Sequence, residues 1–368
     1  MISKVRYSYL KQQFENAPDL WKNLKKFVAT GDFTLGYELK KFEKKFARLI
    51  GTKYSIGVNS GTDAIKLSLV ALGIKAGDEV ITAANTFVAT VGAICEIGAT
   101  PIFIDCDDTF CIDTKLIEKK INSKTKAIVP VHFTGYMSDM NEILKIAKKH
   151  KLKIVEDACQ SILGSINKKN AGTWGDTGAF SLHPLKNINV WSDGGIIVTD
   201  NKKIYNKLLL LRNHGLKDRD HVTITGYNSR LDTLQAVVGN WILPKAKSIS
   251  DQRIKNAKYL DKYLSKIPSI RIPPRIKNFR IVYHLYIVFA QNRNKLLKYC
   301  LQHGIEAKVH YPIPIYRQPA LKNLNHKKGD FPITDQHTKE IITFPCDQHL
   351  SKSELDYIIK TVQEFYEK

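Results

Sequence analysis

Residues 153–199 read KIVEDACQSILGSINKKNAGTWGDTGAFSLHPLKNINVWSDGGIIVT. Two short apolar runs, Lys153–Val155 and Gly178–Leu182, read as buried strands, and a third, Gly195–Thr199, follows a Gly-Gly turn. The first run leads into Glu156, Asp157 and Gln160; the second brings Ser181, His183 and Lys186. In an open α/β sheet, groups just past the carboxyl ends of parallel strands face the ligand crevice. A carboxylate, a hydroxyl, an imidazole and an amine are therefore expected to converge on one site.

That set meets the needs of pyridoxal phosphate, which requires a lysine for its Schiff-base link, an acidic partner for its ring nitrogen and donors for its phosphate. Lys186 supplies the first, Asp157 the second and Ser181 part of the third. A carboxylate beside the ring nitrogen keeps it protonated, because an opposite charge favours the charged form. Any one of these residues alone fits an ordinary sheet with a solvent-exposed lysine. The ordered set at this spacing favours the cofactor.

EDACQ, GDTGAFSLHPLKN and SDGGIIVTD resemble the DegT/DnrJ-type sugar aminotransferases, a branch of the fold-type-I pyridoxal-phosphate enzymes, and the likeness runs over nearly the whole chain. The resemblance implies an aspartate-aminotransferase-like α/β fold and a homodimer with shared active sites. It also implies transfer of an amino group from an amino acid, glutamate, to a keto-sugar, most often nucleotide-linked, in amino-sugar biosynthesis. Some relatives carry histidine in place of the lysine and dehydrate or deoxygenate sugars; Lys186 favours transamination. Ser192, in SDGG, is a mild departure from the family's GEGG or GDGG turn.

Earlier in the chain, YSIGVNSGTDAIKLSLVALGI reads as a strand, a glycine turn and an amphipathic helix capped by Ser60, Thr62 or Asp63. Free N–H groups and the helix dipole make such a helix start an anion site. Alone the motif is weak; with Ser181 it becomes a phosphate cradle, and the resemblance gives Gly61 and Thr62 that role. By resemblance, Phe87 stacks on the cofactor ring, where a core phenylalanine is the competing reading, and Gln160 contacts the ring near its phenolic oxygen. One helical turn after the strand would put Asp157 and Gln160 on one face. GYNSRLD matches a family element whose asparagine, here Asn228, reaches the partner subunit's cofactor phosphate. Arg230 fits a substrate anion or a loop ion pair equally. His183 is read as helping to orient the site, and His132, at a strand end, as structural.

Alternation of strands and helices up to residue 215 implies a mostly parallel sheet covered on both faces. Beyond it the chain reads as a long helical run through Leu264, interrupted near Pro244, and two apolar strands, IVYHLYIVFA and EAKVHYP, flanking a helix. The expected division is a large cofactor-binding domain over residues 1–240 and a small C-terminal α+β domain over 241–368. At the start of the chain, Leu20, Trp21, Leu24, Phe27 and Val28 fall on one helical face, and Leu39, Phe42, Phe46 and Leu49 on another that Gly51 can stop.

The 368 residues carry a formal charge of +22, which raises nucleic acid as a partner. The lysines are scattered along helices with no aromatic-studded stripe, so solvated helix faces are the expectation, with no nucleic-acid partner. No apolar run is long enough to cross a bilayer and no apolar leader follows MISKVRYSYL, so a cytoplasmic location and no membrane partner are expected. None of the six cysteines has zinc spacing, so no metal is expected; reduced thiols are, with Cys159 a small buried hydrophobe. A nucleotide-dependent oxidoreductase would need a G-x-G-x-x-G after its first strand, and none is present. SINK at Ser165–Lys168 fits S-x-x-K without its companion motifs. A non-catalytic regulatory protein of the same fold, binding the cofactor or a sugar, is the remaining alternative.

Overall fold

The structure is a computed structural model that describes residues 4–367; residues 1–3 and 368, the outer ends of the two expected units, lie outside the described residues. The N-terminal two-thirds builds a seven-stranded sheet from β1 (Tyr54–Val58), β2 (Glu79–Ala83), β3 (Thr100–Ile104), β4 (Thr125–Ile128), β5 (Lys153–Asp157), β8 (Thr177–Ser181) and β9 (Gly195–Thr199). A two-residue hairpin, β6 (Ser165–Ile166) and β7 (Lys169–Asn170), lies between β5 and β8. The order across the sheet is β1-β9-β8-β5-β4-β2-β3. Neighbours are parallel except where β9 runs antiparallel to β1 and β8. The mostly parallel sheet implied by the sequence is present.

Both faces are covered, so the strands alternate between two apolar layers. On one face, α4 (Gly61–Ala71), α5 (Val88–Glu96) and α7 (Lys202–Leu211) pack Ile65, Ile94 and Leu208 against Ile56, Val155 and Ile197. On the other, α2 (Pro18–Val28), α3 (Tyr37–Ile50), α6 (Met140–His150) and α8 (Thr233–Ile242) pack Leu20, Phe46, Ile143 and Ala236 against Ile154, Ile196 and Val198. Each such fully buried leucine, isoleucine, valine or phenylalanine contributes roughly 1.5–3 kcal/mol of transfer free energy. Not all of the expected apolar face of α2 is buried: Leu20, Leu24 and Phe27 are, while Trp21 and Val28 turn outward. The i, i+4, i+7 row makes the face, and positions 21 and 28 flank it. Gly51 ends α3 in the left-handed conformation (φ +92°). A short helix, α1 (Leu10–Glu15), precedes α2.

After a turn of 3-10 helix at Leu243–Lys245, α9 (Ala246–Leu264) runs from one core into the next: Ala246 and Ile249 pack in the first, Ala257, Leu260 and Leu264 in the second. The second core lies on a three-stranded antiparallel sheet of β10 (Ile270–Arg271), β12 (Tyr286–Ala290) and β13 (Ile341–Phe344). Around it lie α10 (Arg293–Gln302), α11 (Pro332–Glu340) and α12 (Lys352–Glu367), while β11 (Phe279–Arg280) joins the β6–β7 hairpin. The expected strand EAKVHYP does not form. It pairs through Glu306 N to Val5 O (3.0 Å) and through Lys308, bridged to Thr343, and stops there because His310 and Tyr311 leave the sheet for a cavity; Ile341–Phe344 takes the strand position instead. Ser351 and Glu354 close the capping box that starts α12, through Glu354 N to Ser351 Oγ (3.2 Å) and Ser351 N to Glu354 Oε2 (2.8 Å). Val5 and Tyr9, from the start of the chain, are buried in this second core, with Val5 paired in parallel to Ile305. Among the described residues, no helix is long and apolar enough to cross a membrane.

Candidate active site

The carboxyl ends of β1, β2, β4, β5 and β8 open on a cavity of about 360 Å³. Gly61, Thr62, Phe87, Asp157, Gln160, Ser181 and Lys186 all line it. Asn228 does not. It lines a separate recess of about 250 Å³ with Asn59, Arg230 and Asp232, where Arg230 Nη1 donates to Asn213 Oδ1 (2.9 Å). A larger cavity, about 750 Å³, lies beside β10 and α10, far from these groups; its Arg271 is already paired with Asp108 and Glu340.

Asp157 is the last residue of β5, and its side chain falls on the face that packs α5. There Asp157 Oδ2 accepts from Thr90 Oγ1 (2.7 Å) and Oδ1 from Cys159 N (3.1 Å). Glu156, expected beside it, is not brought to the cavity. Successive strand residues point to opposite faces, so Glu156 lies under the sheet. It accepts there from the backbone N–H groups of Gly172, Trp174 and Gly175 and from His132 Nε2 (2.9 Å). His132 is thereby structural, as the sequence suggested. Residues 158–164 form turns rather than the expected helical turn. Gln160 still reaches the cavity: its Oε1 accepts from Thr134 N (2.8 Å) and its amide lies against the Tyr311 hydroxyl.

Of the three candidate caps of α4, Ser60 is the one used; its Oγ accepts from Asp63 N (3.1 Å). Two glycines allow the close approach of this helix start to the sheet. A Cβ on Gly61 would stand 2.7 Å from Ser181 Cβ, and one on Gly195 would stand 2.1 Å from Ser60 O. The first N–H groups of α4 lack intrahelical partners and carry the positive end of the dipole. With the Ser181 hydroxyl beside them, they form a cradle for an anion.

Lys186 sits deep in the cavity with part of its surface open to it. Burial lowers the pKa of its amine, against the opposing fields of Cys159 and Asp157. Among the described residues the amine makes no ion pair. Cys159 lines the cavity half-buried, and burial pushes its thiol well above the usual range. Three histidines surround the lysine, and burial is the largest cause holding each of them towards its neutral form. His183 is the most exposed of them, and His284 is shifted well below the usual range. His310 falls to about 4 through burial and the fields of Lys308 and Lys186; its Nδ1 faces Thr343 Oγ1 (2.9 Å).

His310 gives a pH prediction. Between its folded value of about 4 and its ordinary value of 6.5, the unfolded chain binds a proton that the folded chain does not. Stability is therefore complete above 6.5 and falls as pH drops towards 4, by up to about 1.4 kcal/mol per pH unit for one such group. Denaturant titrations from pH 7 to pH 4 should show this fall, and His310→Gln should make it shallower.

Sequence reasoning missed Tyr7, Thr90, His284, Lys308 and Tyr311, which also line the cavity. The signal was weak: aromatic and histidine residues at the ends of the apolar runs YHLY and VHYP.

The sequence profile of the DegT/DnrJ/EryC1/StrS aminotransferase family matches residues 16–363. The chain belongs to this family. A relative from Geobacillus stearothermophilus, named a pleiotropic regulatory protein, is 36% identical over 97% of this chain and 97% of its own. The dTDP-3-amino-3,6-dideoxy-alpha-D-galactopyranose transaminase of Aneurinibacillus thermoaerophilus is 35% identical over 94% of this chain and 95% of its own. Among solved structures, S. venezuelae DesV in complex with a ketimine intermediate superposes with a TM-score of 0.97 at 32% identity, covering 99% of both chains. NtdA from Bacillus subtilis, with bound cofactor PMP, gives 0.94 at 30% identity, covering 100% of this chain and 86% of its own. The aspartate-aminotransferase-like architecture of this family is thus the fold of this chain. The residues in the cavity fit such a cofactor: an anion cradle that a Cβ at position 61 would fill, a buried carboxylate and a lysine amine with no ion pair among the described residues.

Proposed function

We propose that this chain is a pyridoxal-phosphate-dependent aminotransferase that moves an amino group from an amino acid, glutamate, to a nucleotide-linked keto-sugar in amino-sugar biosynthesis. The observation that carries this reading is the enclosure of Lys186, Asp157 and the α4 start in one cavity at the strand ends. In this reading the first turn of α4, with Gly61, Thr62 and Ser181, binds the cofactor phosphate. Phe87 would hold the ring and Gln160 would donate to it near its phenolic oxygen. Asp157 holds a proton at the ring nitrogen. The cofactor, when bound, supplies an electron sink for the charge left when the substrate carbon loses its proton. Lys186 takes that proton from the α-carbon of the donor and returns it at the cofactor's carbonyl carbon; its lowered pKa suits an amine acting as base. Lys186 serves the keto-sugar in the reverse sense. The donor leaves as its keto acid and the sugar carbonyl becomes an amine, so no outside oxidant is needed.

A homodimer is part of the same reading, with Asn228 serving the partner subunit's cofactor phosphate; its position outside its own chain's cavity agrees with that role. So is a division at residue 240 into a cofactor-holding unit and a smaller one. The regulatory alternative draws support from the name of the Geobacillus relative. The complete set of Lys186, Asp157, Gln160 and Ser181 favours catalysis. The absorbance spectrum of the protein with pyridoxal phosphate decides between them. A visible band that glutamate bleaches, and that a keto-sugar nucleotide restores, is expected. A spectrum unchanged by any amino acid would leave the regulatory reading.

A further inference from the structure

The turn that carries Lys186 is tied down by a chain of amides that begins far away in sequence and is buried at all but the half-buried Gln348. Asn189 Nδ2 donates to Pro184 O (2.6 Å) and to Lys186 O (3.1 Å), clamping the turn across the lysine. Asn189 Oδ1 accepts from Gln13 Nε2 on α1 (2.7 Å), and Gln13 Oε1 accepts from Gln348 Nε2 (2.8 Å). Gln348 Oε1 accepts in turn from Arg253 Nη1 (2.9 Å), whose guanidinium lies 3.6 Å from Asp347. Gln13, Asn189 and Arg253 are all buried.

Each amide in this chain has one orientation. Arg253 can only donate, so Gln348 must turn its oxygen to it and its NH2 to Gln13. Gln13 then presents its own NH2 to Asn189. Asn189 is left with its NH2 aimed at the two carbonyls of the lysine turn. Reversing any one amide would set oxygen against oxygen or NH2 against NH2 inside the protein, which costs the desolvation of groups left unpaired. The same arginine donates through Nε to Tyr283 O (3.0 Å) and through Nη2 to His284 O (3.1 Å). Asn187, next to the lysine, donates to Val282 O (2.9 Å). The Lys186 turn and the His284 wall of the cavity are thus set by one cation on α9.

We propose that Arg253, Gln348, Gln13 and Asn189 form a positioning relay that fixes the Lys186 turn relative to the segment carrying His284, with Gln13 and Asn189 as positioning residues for proton transfer by the lysine. This rests on the role given to Lys186 above. The test compares Asn189→Ala and Gln13→Met with wild type and Lys186→Ala, all loaded with pyridoxal phosphate. Gln13→Met keeps side-chain length while removing both hydrogen bonds, so it carries the test if Asn189→Ala fails to fold.

A displaced lysine lowers kcat by roughly 10- to 100-fold while KM for the amino donor stays within about twofold. It should also change the visible circular dichroism of the bound cofactor, which a purely structural role would leave alone. Wild-type kcat and dichroism in Gln13→Met, with melting temperature alone reduced, would overturn the relay. Retained turnover in Lys186→Ala would instead overturn the aminotransferase reading, and the relay with it.

Discussion

Lys186→Ala is expected to lower turnover by about 10⁴-fold or more, the upper end of what one positioned proton-transfer group contributes, with the loss of covalent catalysis added. The structural cost should be small. The side chain projects into an existing cavity, its amine makes no ion pair among the described residues, and the turn is held through its backbone: Lys186 N donates to His183 O (2.8 Å) and Lys186 O accepts from Asn189. The melting temperature should stay near that of wild type. The electrostatics of the site give a second readout. The Lys186 charge helps hold His183, His284 and His310 towards neutrality, so in Lys186→Ala the pKa of His310 should rise from about 4. Histidine NMR titration of both proteins would detect that rise. Turnover near wild type would refute the assignment of Lys186; lost turnover with no histidine shift would refute the electrostatic description of the cavity.

The residues that were legible in the sequence share one property: their positions follow from local strand and helix geometry. Asp157 and Ser181 end parallel strands, Lys186 follows a few residues later, and Gly61 and Thr62 begin a helix that follows a strand. Once the strands are recognised, the crevice side is determined. Glu156 was misplaced although the rule that places it is equally local. Strand side chains alternate, so adjacent carboxylates cannot both face the crevice. Tyr7, His284, Lys308 and Tyr311 were not legible because they come from segments whose approach is a matter of tertiary packing. The Tyr7 segment is held by long-range bonds: Val5 pairs with Ile305, Tyr7 N donates to Glu306 Oε2 (2.8 Å), and Lys308 lies over the Tyr7 ring at 4.2 Å. No periodicity in residues 1–10 encodes that contact. EAKVHYP was read as a strand for a related reason. Its apolar pattern suits a strand, but His310 and Tyr311 are used as cavity wall.

The cavity has two sides that carry different groups. The seven-stranded sheet supplies the anion cradle, the carboxylate and the amine. The segments around 284 and 308–311 supply neutral imidazoles, a tyrosine whose pKa is raised by burial, and the exposed Lys308. The groups at the strand ends were therefore readable from the chain, while the opposite walls of the cavity were not.

Asp157→Asn is expected to lower kcat by roughly 10²- to 10³-fold, the loss that follows removal of one preorganised electrostatic group, or about 3–4 kcal/mol of barrier. The substitution isolates charge from shape. The carboxylate is buried with two donors, Thr90 Oγ1 and Cys159 N. An asparagine can keep the Cys159 bond through its carbonyl oxygen. Its NH2 would then face Thr90 Oγ1, which can turn to accept, because Thr86 Oγ1 lies 2.8 Å away to receive the Thr90 proton. The fold and cofactor binding should therefore survive, whereas an alanine would leave the Cys159 N–H without its acceptor and open a gap beside Thr90, costing stability as well. What asparagine cannot do is favour a proton at the ring nitrogen, since it carries no negative charge. The decisive comparison is single-turnover kinetics with glutamate at saturating cofactor. A slow α-proton step in Asp157→Asn, with melting temperature and cofactor affinity near wild type, would locate the defect in charge. An α-proton step as fast as wild type would mean that this carboxylate anchors Thr90 and the residue-159 turn and has no part in the chemistry.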